Sequence, residues 1–159
     1  MNYFEIFDIP VSPKVDKNLL SKKYIELQKK NHPDFFTNAS EEEQESALYQ
    51  SSQINRGLKI FQNEDETIKY FLQLKGIITE DEKYQLPPEF LMEMMELNED
   101  LSVQSTNQIN QICAELYEDV KPLIDHYSRE NSSDTDLQPL KEYYFKKKYL
   151  QRILDRIDD

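Results

Sequence analysis

The stretch DKNLLSKKYIELQKKNHPDFF, Asp16 to Phe36, decides how this chain folds. Asp16 is a residue type that accepts hydrogen bonds from the free N–H groups of a helix start. Behind it Leu20, Tyr24 and Leu27 recur on one stripe at helical spacing, which predicts a helix to about Asn31. Pro33 stops that helix, because the residue before a proline is pushed out of the α region. A loop from Asp34 to Ala39 then gives way to Ser40, a second N-cap with Glu43 three residues on, the pattern of a capping box. The helix that follows runs to about Asn63 and turns Ala47, Ile54, Leu58 and Phe61 inward. Two amphipathic helices around a short proline-bearing loop make an antiparallel hairpin.

Outward from the hairpin the chain stays helical, and the expected fold class is all-α. Upstream, Tyr3 to Phe7 is a short apolar segment ended by Ile9-Pro10. Downstream, Asp65 to Leu74 reads as a shorter helix closed by Gly76 as a C-cap. The stretch from Thr79 to Pro88 is charged and ends in Leu86-Pro87-Pro88, which marks a joint. The expected organisation is a first domain over 1–76, a linker over 77–87 and a three-helix bundle over 88–159. In the bundle, Pro88 suits the first turn of a helix reaching about Leu101. A second helix spans roughly Thr106 to Arg129, with Ile109, Ile112, Leu116, Leu123, Ile124 and Tyr127 inward; Pro122 should kink or break it. After the polar loop Asn131 to Asp136, a last helix uses Leu140, Tyr144, Leu150, Leu154 and Ile157. Short connections suit antiparallel packing.

Composition removes several function classes. The 159 residues include 31 acidic and 19 basic side chains, a formal charge of −12, which disfavours a nucleic-acid partner. Only two glycines are present, so no Gly-rich phosphate loop can be drawn, and a β-rich fold would lack its turn residues. One cysteine, Cys113, and two distant histidines, His32 and His126, predict no internal disulfide, no metal site and no cofactor. Cys113 sits beside Ile112 on an apolar stripe and reads as a packed core thiol. No apolar run approaches a membrane span, and Met1 to Glu5 has neither a basic nor an apolar leader segment. A reducing, cytoplasmic setting without membrane contact is the expectation.

The charge is unevenly distributed. Residues 1–75 hold ten basic and 12 acidic groups, whereas residues 76–159 hold nine and 19. Against that background Val11 to Pro33 carries Lys14, Lys17, Lys22, Lys23, Lys29 and Lys30 with only Asp16 and Glu26, a local excess of positive charge. It leads straight into His32-Pro33-Asp34. Pro33 fixes the loop without needing a backbone donor; the lysines taken alone suit a solvated helix face as well as a binding surface.

The helix after Pro88 shows a second surface. Phe90, Met94, Leu97 and Leu101 share one stripe and are expected in the core. Leu91, Met92 and Met95 lie roughly 100–200° away around the helix, bordered by Glu96 and Glu99. A helix with a second apolar face needs a second partner: either another molecule, for which methionine suits an adaptable contact, or the first domain packing over it.

The His32-Pro33-Asp34 tripeptide, the basic helix before it, Gln53-Ile54-Asn55 on the partner helix and the upstream Tyr3-Phe4 together resemble a J-domain, over residues 1 to about 75. With Asn2-Tyr3-Phe4, the His-Pro-Asp-Phe-Phe loop and Phe90-Leu91-Met92-Glu93, nearly the whole chain is similar to the HscB-type co-chaperones of iron–sulfur cluster assembly. The resemblance implies a non-enzymatic adaptor that stimulates the ATPase of a DnaK/HscA-type chaperone. His32, Pro33 and Asp34, with Lys22, Lys23, Lys29 and Lys30, would meet the chaperone. The bundle would bind an IscU-type scaffold through Leu91, Met92, Met95, Glu96, Glu99 and, on the last helix, Phe145. The alternative is a J-domain co-chaperone for another client. A hydrolase built on His32 and Asp34 is disfavoured, because a hairpin tip offers no pocket. Two departures from the family pattern stand out: Val103 replaces an acid found in some members, and the cysteine metal site of others is missing. The Lys146-Lys147-Lys148 run is expected on a solvated face, or else near the scaffold patch beside Phe145.

Overall fold

A helix leaves four N–H groups free at its start and four carbonyls at its end, and each needs a partner. In a computed structural model of the chain, which describes residues 1–99, 101 and 103–158, the side chains read as caps fill those positions. Asp16 Oδ1 accepts from the N–H groups of Asn18 and Leu19 at 2.8 and 3.1 Å. Ser40 Oγ accepts from Glu43 N at 3.2 Å. Gly76, with φ +73°, takes the left-handed turn that ends its helix while the Ile77 N–H returns to the Leu72 carbonyl at 2.9 Å.

The helices are α1 (Tyr3–Phe7), α2 (Lys17–Asn31), α3 (Glu41–Gln62), α4 (Glu64–Leu74), α5 (Pro88–Glu99), α6 (Val103–Asp125) and α7 (Gln138–Asp158). The loop expected after Pro33 is instead a 3₁₀ turn over Pro33–Phe36. No strand occurs among the described residues. The chain divides into two compact units, Met1–Phe71 and Leu72–Asp159.

In the first unit α2 and α3 form the antiparallel hairpin. Lys17, at the start of α2, donates through Nζ to the Phe61 carbonyl in the last turn of α3 at 2.6 Å, where a cation also complements the helix dipole. Further along, Tyr24 Oη and Gln28 Nε2 both donate to Asn55 Oδ1, at 3.1 and 3.2 Å. The hairpin closes on α1 through aromatic side chains. Phe4 and Phe7 are buried against Phe61, with ring centroids 4.8 and 5.7 Å away. Tyr70 of α4 lies 5.3 Å from Tyr3, and its hydroxyl accepts from the Tyr3 N–H at 2.9 Å. Burial of Tyr70 pushes that hydroxyl above the usual phenol range, the bond from Tyr3 partly opposing the shift, so it stays neutral.

In the second unit Phe90 and Met94 of α5, Ile109 of α6, and Leu150 and Ile153 of α7 make one buried cluster. Ile112, Cys113 and Leu116 pack against it, in line with the core thiol reading. The segment expected to link the domains is attached within this unit. Ile77 and Ile78 are buried, Lys141 Nζ of α7 donates to the Ile77 carbonyl at 3.0 Å, and the Tyr84 ring stacks on Phe145 at 4.6 Å. Helix α6 passes through Pro122 and stops at Asp125, short of the expected Arg129. Val120 and Ile124 are buried on either side of the proline, which has no N–H to give the Glu118 carbonyl, and the helix runs only three residues beyond it. Leu101, expected in the core, is instead 36% exposed, because α5 ends at Glu99 before the stripe reaches it.

Gly57 is where α1 and α3 come closest. A Cβ there would meet Phe7 Cε2 at 2.8 Å and Tyr3 Cδ1 at 3.0 Å. The Phe7 ring is held against Phe61 and has little room to withdraw. Gly57→Ala therefore sets a helix-propensity gain of about 1 kcal/mol against an overpacking cost of about 1–3 kcal/mol. The expected outcome is a net loss of stability by chemical denaturation; an unchanged or raised midpoint would show that the ring yields.

Candidate functional site

The tip of the hairpin is built by one residue serving two helices. His32 ends α2, its N–H donating to the Gln28 carbonyl at 2.9 Å, and also begins the 3₁₀ turn. Its Nδ1 accepts from the Asp34 N–H at 3.2 Å. An Nδ1 used as an acceptor leaves Nε2 to carry the ring proton. The Asp34 carboxylate lies 3.6 Å from the same Nδ1, and its side chain is 86% exposed. Phe35 places its ring edge-on to His32 and is 67% exposed.

The tip is also held from behind. Gln44, in the first turns of α3, donates through Nε2 to the carbonyls of Thr37 and Ala39 at 3.1 and 3.2 Å. Neither Gln44 nor the Asn55 junction was read from the sequence as part of the site. Asn55 belongs to the quoted Gln53-Ile54-Asn55, so the motif pointed to it without revealing its partners. Of the four lysines expected to face a chaperone, Lys22, Lys29 and Lys30 are exposed on α2. Lys23 is half-buried and pairs with Asp8 at 3.2 Å.

The second candidate surface lies on α5. Phe90 and Met94 are buried and Leu97 packs against the same cluster, while Met92 and Met95 are 66% and 61% exposed. Leu91 is half-buried, and Glu96 and Glu99 are exposed. The angular separation read from the sequence thus becomes a core face and an outer face. Phe145 is half-buried between Tyr84 and Tyr144. Its turn of α7 meets the first turn of α5, since Lys146 Nζ stands 5.2 Å over the Phe90 ring and Tyr149 meets that ring edge-on. Lys146 also pairs with Glu142 at 3.2 Å, so it is not on the solvated face expected for the lysine run. Burial raises the Tyr84 hydroxyl above its ordinary range, with the Glu142 and Glu82 carboxylates adding to the shift. The Val103 side chain, where this surface would end, lies outside the described residues.

Neither surface holds groups arranged for a metal: among the described residues no cluster of three or more histidine, cysteine or acidic side chains is placed to bind one. None of the described helices is long and apolar enough to cross a membrane.

Residues 86–158 match the family model described as the HSCB C-terminal oligomerisation domain. The chain is 35% identical over 142 residues to a co-chaperone protein HscB homolog of Shewanella halifaxensis, covering 88% of this chain and 78% of that one. It is 42% identical over 102 residues to the Vibrio cholerae homolog; that match covers 64% of this chain, which thus spans 60% of that relative's length. The solved structure of chaperone HscB from Vibrio cholerae superposes with a TM-score of 0.78 at 25% identity, covering 99% of this chain and 96% of the other. A hairpin unit with a His-Pro-Asp tip, followed in the same chain by a helical bundle, defines a two-unit J-domain protein. More narrowly, the chain belongs to the HscB co-chaperone family.

Gln44→Ala tests whether the tip is held from α3. Its two carbonyl partners are near the surface and can turn to water, so global stability should fall by only about 1 kcal/mol or less. Amide hydrogen exchange from Asp34 to Ala39 should nevertheless quicken. Unchanged exchange there would mean that Pro33 and His32 fix the tip unaided.

Proposed function

We propose that this chain is an adaptor with two binding surfaces and no bond-making chemistry of its own. Its first unit engages a DnaK/HscA-type chaperone and promotes that partner's ATP hydrolysis; its second unit holds an IscU-type iron–sulfur scaffold and so delivers it for cluster transfer. The observation that carries this reading is a preorganised His32-Pro33-Asp34 tip on a basic helix, in a chain whose bundle leaves Met92 and Met95 uncovered.

At the chaperone surface, Asp34 supplies a carboxylate for a charge-assisted bond to an arginine. His32 acts through Asp34, since its Nδ1 fixes the backbone that presents the carboxylate. Lys22, Lys29 and Lys30 accelerate encounter with an acidic surface and make it sensitive to salt. Lys23 contributes less to that field because Asp8 pairs with it. At the scaffold surface, Leu91, Met92 and Met95 supply apolar area that can adapt in shape, and Glu96, Glu99 and Phe145 border it. Having both surfaces on one chain raises the effective concentration of scaffold near the chaperone.

Steady-state ATPase of the chaperone, with and without scaffold, tests the reading. The expected result is stimulation by this chain that increases with scaffold. His32→Gln should abolish stimulation while scaffold binding persists. Leu91→Ala with Met92→Ala should weaken scaffold binding at least tenfold, about 1.4 kcal/mol, and keep the basal stimulation. Stimulation that ignores the scaffold would keep the J-domain role and assign the bundle to another client. No stimulation of any chaperone would overturn the proposal.

A further inference from the structure

Residues Phe145, Lys148, Tyr149 and Arg152 recur at i, i+3, i+4 and i+7 and share one face of α7. The 77–86 segment faces them with Lys83, Tyr84 and Leu86, and together they line a cleft of about 250 Å³. Its floor is aromatic, with Phe145 stacked on Tyr84 and Tyr149 meeting Phe90 edge-on. Its rim is cationic: Lys83, Lys148 and Arg152 are exposed. Glu82 also lines the cleft, but its carboxylate is held by Lys141 Nζ at 3.0 and 3.1 Å and is neutralised. This positive rim lies in the half of the chain that carries 19 acidic groups against nine basic ones. The outer face of α5, with Glu96 and Glu99 exposed beside Met92 and Met95, has the opposite sign.

We propose that the cleft seats an acidic segment of the scaffold partner, with carboxylates on Lys83, Lys148 and Arg152 and an apolar side chain resting on Phe145 and Tyr149. This rests on the scaffold-binding reading and adds the chemistry of the partner: one acidic region for the α7 cleft and one less acidic, apolar region for α5. Two contacts of opposite electrostatic character reject a partner docked the wrong way round, because reversal sets like charges against each other.

The test is the association rate of the full chain with purified IscU-type scaffold, at low and at high salt. Lys148→Glu with Arg152→Glu should slow association about tenfold or more at low salt. The difference should nearly vanish near 1 M salt, where the Debye length is about 3 Å. Lys148→Gln with Arg152→Gln should give a smaller loss in the same direction. All four changes are at exposed positions, and unchanged helical circular dichroism would show that the fold is kept. Leu91→Ala with Met92→Ala should instead speed dissociation and leave the salt dependence unchanged. Association that is unaltered or faster in the charge-reversed chain overturns the cleft assignment while leaving scaffold binding intact. Self-association of the unmodified chain in sedimentation, lost on charge reversal, would make a second copy the occupant and overturn it too. A wild-type chain that does not bind scaffold overturns the adaptor reading and the cleft assignment with it.

Discussion

Everything in the first unit follows from the point where Pro33 forbids α2 from continuing. A proline there pushes His32 into extended backbone, φ −64° and ψ 132°, and the chain must turn. The turn could be loose, but His32 closes it by accepting the Asp34 N–H with its ring. The hairpin then needs its two arms held in register, which the Lys17 to Phe61 and Asn55 hydrogen bonds do at one end and near the middle. With α2 and α3 aligned, α1 can lay Phe4 and Phe7 against Phe61, because Gly57 leaves space for the rings. The exposed tip is therefore the end of a hairpin anchored on a core far along its arms, while His32 and Gln44 hold the turn itself.

The second unit solves a different problem. A short α5 has one face to bury and another to present. Phe90 and Met94 anchor the buried face, and Lys146 and Tyr149 of α7 close over the Phe90 ring. The chain before α5 is fixed by Lys141, whose ammonium reaches the Ile77 carbonyl and both oxygens of Glu82. That ion pair is partly shielded from solvent, so leaving either charge alone there costs more than losing a surface pair. The outer methionines can remain exposed because the bundle's cohesion does not depend on them.

What could be read from the sequence was local. Asp16, Ser40 and Gly76 act within a few residues of themselves, and their roles were visible as residue types at fixed offsets. The core stripe of α5 and its outer face followed from the helical period alone, until α5 ended at Glu99 and left Leu101 outside. What escaped were contacts between residues distant in the chain. Asn55 meets Tyr24 and Gln28, Lys141 meets Ile77 and Glu82, and no spacing rule pairs them. For the same reason the stretch after Gly76 read as a charged joint, although Tyr84 stacks on Phe145 within the second unit. The lysine run leaves open a solvated face or a place beside Phe145, and the position of Lys146 over Phe90 is a tertiary fact.

The tip also shows why a histidine and an aspartate two residues apart need not be a catalytic pair. In acyl-transfer chemistry the carboxylate receives the Nδ1–H of the histidine, which frees Nε2 to take a proton from a nucleophile. Here Nδ1 accepts the Asp34 backbone N–H, so it has no proton to give to the carboxylate 3.6 Å away. The carboxylate is left free of that role, and at 86% exposure it is available to another molecule. Ring and carboxylate are thus used in sequence: the ring shapes the backbone, and the backbone aims the carboxylate outward. That arrangement suits recognition, where a fixed direction reduces the entropy lost on binding.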